Sequence, residues 1–453
     1  MDKIVILGGG ESGAGAAVLA ARKGFSVYLS DTGLLKPEYT RMLEAEGIPF
    51  EQGHPHTEAE VLSASTIVKS PGIPLSAPII VKAREKGIPV ISEIEFAARY
   101  TSSRMLCITG SNGKTTTTTL LHHILCCAGI DASMAGNIGM SLALQVATDP
   151  HEVYVVELSS FQLDNMYDFH ADTAILLNIT PDHLDRYEHS MELYADAKMR
   201  ITRNQTPSDC FIYWQEDPET AAAMTRTRSE ATPLPFGVRR TPSSAAWLEG
   251  DVMHISTPQG AWSMPREEIA IKGLHNIYNS MAASIAATRL GIAPEVIRKA
   301  LASFKAVPHR LEHVAEIDGV EYINDSKATN VASTYYALES MTRPTVLILG
   351  GTDKGNDYTD ILDFMRRKVT HVVAMGADNE KIMRFCRDHG FSADDTHSLA
   401  DALQACRKAA RPGDTVLLSP CCASFDLFKS YIDRGDRFRA AVLDLMESHH
   451  NQA

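Results

Sequence analysis

One repeated pattern constrains this chain more than any other. Short, continuous apolar runs end in small turn residues and are separated by helix-length segments. Ile4-Val5-Ile6-Leu7 runs into Gly8-Gly9-Gly10-Glu11-Ser12-Gly13, Thr66-Ile67-Val68 into Lys69-Ser70-Pro71-Gly72, and Val153-Tyr154-Val155-Val156 into Glu157. Ala174-Ile175-Leu176-Leu177 meets Asn178, Thr345–Leu349 meets Gly350-Gly351, His371–Ala374 precedes Gly376, and Thr415–Leu418 meets Ser419-Pro420. A strand apolar throughout must be covered on both faces, and the intervening helices do the covering. The pattern predicts βαβ units and largely parallel sheets. A chain of 453 residues is long enough for two to four domains, each with its own core. The units share no fixed period, so a solenoid is excluded.

Within this frame, Thr109-Gly110-Ser111-Asn112-Gly113-Lys114-Thr115-Thr116 follows the apolar run Met105–Ile108 and precedes a segment that reads as helix. A strand, a glycine turn and Lys-Thr at a helix start aim backbone N–H groups at phosphate. The lysine then reaches the outer phosphates and the threonine hydroxyl holds magnesium. The commoner spacing would put glycine at Ile108, so an ordinary glycine turn before a helix is the competing reading. Glu157 ends its apolar run where a nucleotide enzyme places a magnesium ligand; a plain strand-end acid is the alternative. Gly8–Gly13, with Asp31 after a second strand at Phe25–Leu29, fits a dinucleotide turn and by itself suggests NAD or FAD. Met191–Arg203 reads as a helix containing Lys198, and Thr225–Pro265, rich in Thr, Ser and Pro with short β-like runs, as a peripheral excursion.

The charge balance is acidic, 56 Asp+Glu against 43 Lys+Arg, net −13. This argues against a nucleic-acid or membrane-surface protein, so a phosphate ligand must be held by local devices. The eight cysteines include the adjacent pairs Cys126-Cys127 and Cys421-Cys422 and no CxxC. Adjacent cysteines suit neither metal-ligand spacing nor easy disulfide geometry, so reduced, mostly buried thiols are expected. No basic and apolar leader precedes Ile4 and no apolar run is long enough to span a bilayer, which points to a cytoplasmic protein.

Seven segments occur in the order seen in Mur ligases, the cytoplasmic enzymes that build the peptidoglycan stem peptide. They are Thr109–Thr116, Gly136–Gly139, Glu157–Gln162, Asn178–His183, Tyr194–Lys198, Pro308-His309-Arg310 and Asn324–Asn330. The chain resembles that family over nearly its whole length. Its Ser419–Asp426 run most resembles the members that add D-glutamate. The resemblance implies an α/β fold in three domains. Residues 1–93 would be a Rossmann-like domain for the UDP-substrate. Residues 94–305 would form a central phosphate-loop ATPase-type domain with a parallel sheet, and 306–453 a Rossmann-like domain contributing to the ATP and D-glutamate sites.

It further implies ATP-driven amide formation, in which the carboxylate of UDP-N-acetylmuramoyl-L-alanine takes the γ-phosphate and the amine of D-glutamate displaces it. ATP would lie on Gly110, Ser111, Asn112, Gly113, Lys114, Thr115 and Thr116. Asn276 and Asn279 would read adenine, Arg310 would meet phosphate and Asp325 ribose; helix capping is the other reading for Asn276. Thr115 and Glu157 would hold a first Mg2+, and His183 and Lys198 a second, with Lys198 carbamylated by carbon dioxide because an ammonium binds no cation. Lys114, Asn137, His183, Lys198 and Lys327 form the expected catalytic set. The UDP-substrate would meet Glu11, Ser12, Asp31, Thr32, Ser70, Gly72, Asn137, Ser159, Gln162 and His183. D-glutamate would meet Thr329, Lys354, Ser424, Phe425 and Tyr431, with core packing the alternative for Tyr431. Two departures stand out: Gly33 offers no side chain to the diphosphate, and the acid before Lys354 is displaced by one position. The partners implied are small molecules only, with no nucleic acid or membrane, and a monomer is expected. Another Mur ligase or a folylpolyglutamate synthetase-like ligase is the nearest alternative. An NAD-dependent oxidoreductase leaves the phosphate loop unexplained, and a non-enzymatic nucleotide switch would not need two magnesium sites.

Overall fold

The computed structural model describes residues 2–182, 184–305, 308–353 and 355–450, leaving aside the side chains of 185 and 448–450. It resolves into two compact units, Met1–Ile269 with Tyr278–Ser303, and Ala270–Ile277 with Phe304–Ala453. Among the described residues no helix is long and apolar enough to cross a membrane.

The first unit holds two sheets. The smaller is wholly parallel, in the order Phe50–Gln52, Ser26–Asp31, Lys3–Leu7, Thr66–Lys69, Val90–Ser92. Strand order reverses at Lys3–Leu7, so the turns after this strand and after Thr66–Lys69 flank a switch point, where open α/β sheets bind ligands. The turn tolerates only glycine at two places. A Cβ on Gly8, at φ +96°, would lie 2.4 Å from Ser70 Oγ, and one on Gly13 would lie 1.8 Å from Gly8 O.

The larger sheet has nine strands. Its parallel core runs Thr232–Phe236, Cys210–Trp214, Thr173–Leu176, Arg104–Thr109, Val153–Glu157, Ala132–Gly136. Val155, Ile108 and Ile175 are fully buried there, as strands covered on both faces require. The segment expected to be a peripheral excursion instead extends this sheet. Thr232–Phe236 joins in parallel, and Ala246–Glu249, Val252–Thr257 and Gly260–Pro265 continue it, the last two pairings antiparallel. The short β-like runs read there are these strands, and Pro233 and Pro235 weaken the signal of the first, because proline demotes a strand reading.

Within this unit the two sheets are joined by close packing of the helices Glu11–Arg22 and Leu142–Thr148. A Cβ on Gly15 would come 2.2 Å from Ser141 Oγ. Glu93, fully buried, accepts hydrogen bonds from Ser141 Oγ (2.8 Å) and Ala143 N (2.6 Å), while its Oε2 has no partner.

The second unit carries a six-stranded sheet in the order Glu312–Ile317, Val320–Asn324, Thr415–Cys421, Thr345–Gly350, Val369–Met375, Ala393–Thr396. Only the first pair is antiparallel. The segments after Asn324, Gly350 and Cys421 therefore leave the same edge from three neighbouring strands.

Burial pushes the Glu93 carboxyl up to about 7. A raised pKa means that the folded state holds a proton the unfolded chain has lost, so this group's contribution falls as pH rises from about 4.5 to about 7. Glu93→Gln mimics the protonated acid. Denaturant unfolding should find it more stable than the parent at pH 8 by roughly 1–3 kcal/mol, with the gain gone near pH 4. A loss of stability at pH 8 would contradict this assignment.

Candidate active site

The strand Arg104–Thr109 delivers Gly110–Gly113 to the start of the helix Lys114–Cys127. Gly110 (φ +145°) and Gly113 (φ +86°) take conformations that favour glycine, and a Cβ on Gly113 would sit 2.4 Å from Asn279 Oδ1. The helix has no side-chain cap at Gly113, the kind of helix start that suits an anion.

The loop is braced by the segment after the strand Thr173–Leu176. Asn178 Oδ1 accepts from Asn112 N (2.9 Å) and its Nδ2 donates to Asn112 O (3.0 Å). Ser111 N donates to Asn178 O (2.8 Å), and Ser111 Oγ donates to Thr180 O and accepts from Thr180 N (2.8 and 2.9 Å). Tyr194 OH lies 3.1 Å from the same hydroxyl. Asn178, Thr180 and Tyr194 escaped the sequence reading as individual residues, although the segments holding them carried the family resemblance.

Two amines converge on one oxygen. Lys114 Nζ donates to Gly110 O (2.8 Å) and Ser111 O (2.9 Å), and Lys198 Nζ donates to the same Gly110 O at 2.8 Å. Lys198 is 1 % exposed and lies 4.4 Å from the centre of the Tyr194 ring. Burial, and after it the charge of Lys114, holds its amine well below the usual lysine range. The helix Met191–Met199 therefore turns Lys198 into the interior and not toward solvent.

Glu157 ends the neighbouring strand and is 1 % exposed. Asn137 Nδ2 donates to its Oε1 (2.8 Å), while Oε2 is buried with no protein partner. An uncompensated buried carboxylate oxygen is costly, and a cation is the partner its chemistry asks for. With the phosphate loop on the adjacent strand, this donor set fits magnesium. Gly136 permits the Asn137 contact, since a Cβ there would come 2.2 Å from Glu157 O.

Other expected ligand residues are engaged within the protein. Ser159 and Gln162 form a capping box on the helix Ser160–Leu163, a role that S-x-x-Q signals by itself. Both oxygens of Asp31 accept backbone N–H groups, from Gly9 (2.5 Å) and Gly33 (2.7 Å), which pins the first-sheet turn. Glu11 Oε1 accepts from Ser141 N (3.1 Å). Ser70 packs beside Gly8, whereas Thr32 and Gly72 are exposed and Ser12 half-buried at the same edge. Lys69, buried and held down to about 8 by burial, donates to Ser70 O and Ile73 O and so holds the second turn. Asn279 Oδ1 accepts from Thr117 Oγ1 (3.2 Å), and Thr116, the residue before it, is buried.

In the second unit, Arg310 stands between two non-glycine residues at positive φ, His309 (+63°) and Leu311 (+44°), a strain that its surroundings must hold. His309 Nδ1 lies 3.0 Å from Asn324 Nδ2, and a Cβ on Gly435 would come 2.3 Å from that ring nitrogen. Asp325 accepts from Leu311 N (3.2 Å) and Ser419 Oγ (2.8 Å); burial pushes it up to about 7 against the charge of Arg310. Asn276 Nδ2 donates to Lys272 O (2.8 Å), a bond back along the chain and not an N-cap. Lys327 Nζ lies 5.5 Å from the Tyr431 ring centre, and Thr329 is half-buried two residues on. Ser424 is buried on the turn after Thr415–Cys421, and Phe425 beside it is 71 % exposed. Arg434, missed by sequence reading, is buried and ties two of these segments together through Ser326 O (2.8 Å) and Cys422 O (3.2 Å). His183 and Lys354 lie outside the described residues. A separate His170, Asp172 and Asp209 group sits where the strands begin, at the opposite edge of the central sheet, with its carboxylates taken up by Met105 N and Thr206.

Three parallel-dominated sheets, one bearing a braced phosphate loop beside a cation-seeking carboxylate, define a three-domain α/β nucleotide enzyme. Residues 2–92 match the Mur ligase MurD-like N-terminal domain, 108–287 the Mur ligase middle domain, and 309–422 the Mur ligase glutamate ligase domain. The chain is 57% identical over 447 residues to a UDP-N-acetylmuramoylalanine–D-glutamate ligase of Porphyromonas gingivalis, covering 98% of each. It is 54% identical over 446 residues to the protein of that name from Bacteroides fragilis, covering 98% of this chain and 100% of that one. Among solved structures, the UDP-N-acetylmuramate-alanine ligase of Thermotoga maritima shares the fold at TM-score 0.62 and 19% identity, over 98% of this chain and 100% of that one. The MurF ligase of the same organism, solved with ADP, shares it at TM-score 0.60 and 16% identity, over 94% and 96%. The chain belongs to the Mur ligase family.

The brace has a measurable consequence. Asn178→Ala removes two hydrogen bonds that hold Asn112, and each is worth about 1 kcal/mol. Calorimetric titration with a non-hydrolysable ATP analogue should show a complex weakened by up to about thirtyfold, with the fold intact. Unchanged affinity would mean that the loop holds its shape without the brace.

Proposed function

We propose that this chain joins D-glutamate to UDP-N-acetylmuramoyl-L-alanine with hydrolysis of ATP to ADP and phosphate, a step of cytoplasmic peptidoglycan precursor synthesis. The observation that carries this reading is the set of groups around Gly110: a braced phosphate loop, two lysines on one carbonyl and a buried carboxylate oxygen seeking a cation. Relatives at 54–57% identity over nearly the full length supply the substrates by their names.

A carboxylate is a poor electrophile at neutral pH, and phosphorylation supplies its leaving group. The substrate carboxylate attacks the γ-phosphorus, the bond to the β–γ bridging oxygen breaks, and ADP leaves. The amine of D-glutamate then attacks the acyl carbon, phosphate departs with the electron pair, and a proton is lost. Lys114 offsets charge on the β- and γ-phosphates, and the uncapped helix start receives their oxygens. Magnesium, held by Thr115 and Glu157, supplies further charge compensation when bound. Asn137 fixes the Glu157 carboxylate from its other oxygen. In the second unit, Arg310 serves phosphate and Asp325 the ribose, and Lys327 serves the acyl phosphate. Thr329, Lys354, Ser424 and Phe425 form the amino-acid pocket. The first-sheet turns at Gly8–Gly13 and Ser70–Gly72 take the uridine diphosphate. A monomer acting on small molecules completes this reading.

Phosphate release should require ATP, magnesium, the UDP-substrate and D-glutamate together. D-aspartate should fall at least a hundredfold behind in kcat/KM, because a shorter side chain leaves a pocket cation unpaired. Equal efficiency with D-aspartate would refute the pocket.

Lys198 acts as a carbamate. A neutral amine adds to carbon dioxide, the new N–C bond forms and a proton leaves, giving the oxygens that a second magnesium needs; the low amine pKa prepares this step. Lys198→Ala should lose most turnover and regain part of it with short carboxylic acids in the buffer. Lys198→Arg should stay inactive. Carbon-13 bicarbonate should give a carbamate signal in the parent and none in either variant; an active arginine variant overturns the claim.

A further inference from the structure

Cys126 and Cys127 close the helix that carries the phosphate loop, and of the eight cysteines these two are exposed. As adjacent residues they make a poor chelate with each other. The helix supplies what the pair lacks, because His122 and His123 stand one turn earlier on the same two faces. Cys126 Sγ lies 3.5 Å from Nε2 and 3.9 Å from Nδ1 of His122, and Cys127 Sγ lies 3.7 Å from Nε2 of His123. Zinc, with bonds of about 2.3 Å to sulfur and about 2.0–2.1 Å to nitrogen, spans a ligand pair of about 3.5–3.8 Å at angles from tetrahedral to trigonal. The pairs Cys126 Sγ with His122 Nδ1 (3.9 Å) and Cys127 Sγ with His123 Nε2 (3.7 Å) stand close to that bite without a change of backbone. His122 Nε2 is also 3.1 Å from Ala132 O; donation there leaves Nδ1 with the lone pair and orients the ring, as outer partners of metal-bound histidines do. His123 Nε2 is 3.3 Å from Ser303 Oγ.

We propose that this turn binds soft divalent cations of the zinc class at two neighbouring two-point sites, Cys126 with His122 and Cys127 with His123, with water completing each shell. Each thiol gives up its proton to solvent as the metal–sulfur bond forms, so binding strengthens as pH rises. The 14-residue helix puts this turn about 20 Å from the phosphate loop. Thiolate and imidazole select zinc or cobalt over magnesium, so the two metal chemistries do not compete. A bound ion clips the last helical turn together, and a ligand held by the folded state alone stabilises that state.

Cobalt titration of the full chain under a phosphine reductant tests this directly. A thiolate-to-cobalt charge-transfer band should grow with two ions per chain, fall by half in Cys126→Ser or Cys127→Ser, and vanish in the double variant. Zinc should abolish it and a large excess of magnesium should not. His122→Ala with His123→Ala should weaken binding at least tenfold. Zinc should raise the melting midpoint of the parent and leave that of the double serine variant unmoved, while ligase turnover of that variant stays at the parent level. No band at excess cobalt, a band undiminished in the double serine variant, or affinity unchanged without the histidines would each overturn the proposal.

Discussion

Gly110 O is the point on which the site turns, because two lysine amines donate to this one oxygen. Two amines so close disfavour a second charge, and burial together with the Lys114 charge holds the Lys198 amine well below the usual lysine range. The loop carbonyls that receive these amines are themselves held by the brace from Asn178 and Thr180. The convergence of the two lysines therefore depends on a backbone conformation that two glycines at positive φ make possible.

The same economy of position governs each sheet. Parallel strands place all their outgoing segments along one edge, and in each of the three sheets those segments carry the polar residues. In the first sheet Asp31 and Lys69 are spent on holding turns. In the second unit the buried Arg434 does comparable work, joining the run after Asn324 to the turn after Cys421 through their carbonyls.

The strand–turn–helix alternation was legible because both-face burial leaves continuous apolar runs in the sequence. Glu157 and the phosphate loop were legible because each breaks such a run with residues a plain turn does not need. Asn178, Thr180 and Arg434 carry no such mark as single residues, since their bonds reach segments 66 to 108 residues away. Ser159 and Gln162 could have been read otherwise: S-x-x-Q at a helix start is a capping box, and the structure uses it as one. The signal of Thr232–Phe236 was weakened by its prolines, and its place in the sheet comes from the neighbouring strand Cys210–Trp214. Mostly buried thiols are what the structure shows, with six of the eight cysteines buried; that the other two lie exposed at a helix end depends on what packs there.

A net charge of −13 sets the last constraint. The proposed substrates are all anions, and the summed field of this protein repels them, so attraction has to be local and short-ranged. In the proposed reading the start of the helix Lys114–Cys127, a lysine at its first position and the arginine held between two strained residues act over a few ångströms only. Both of these cations are half-buried and not spread over a basic surface, where salt would screen them. An acidic protein that handles phosphates thus gains selectivity from its charge: an anion gains enough to stay only where its oxygens fit the N–H groups and cations fixed by the fold.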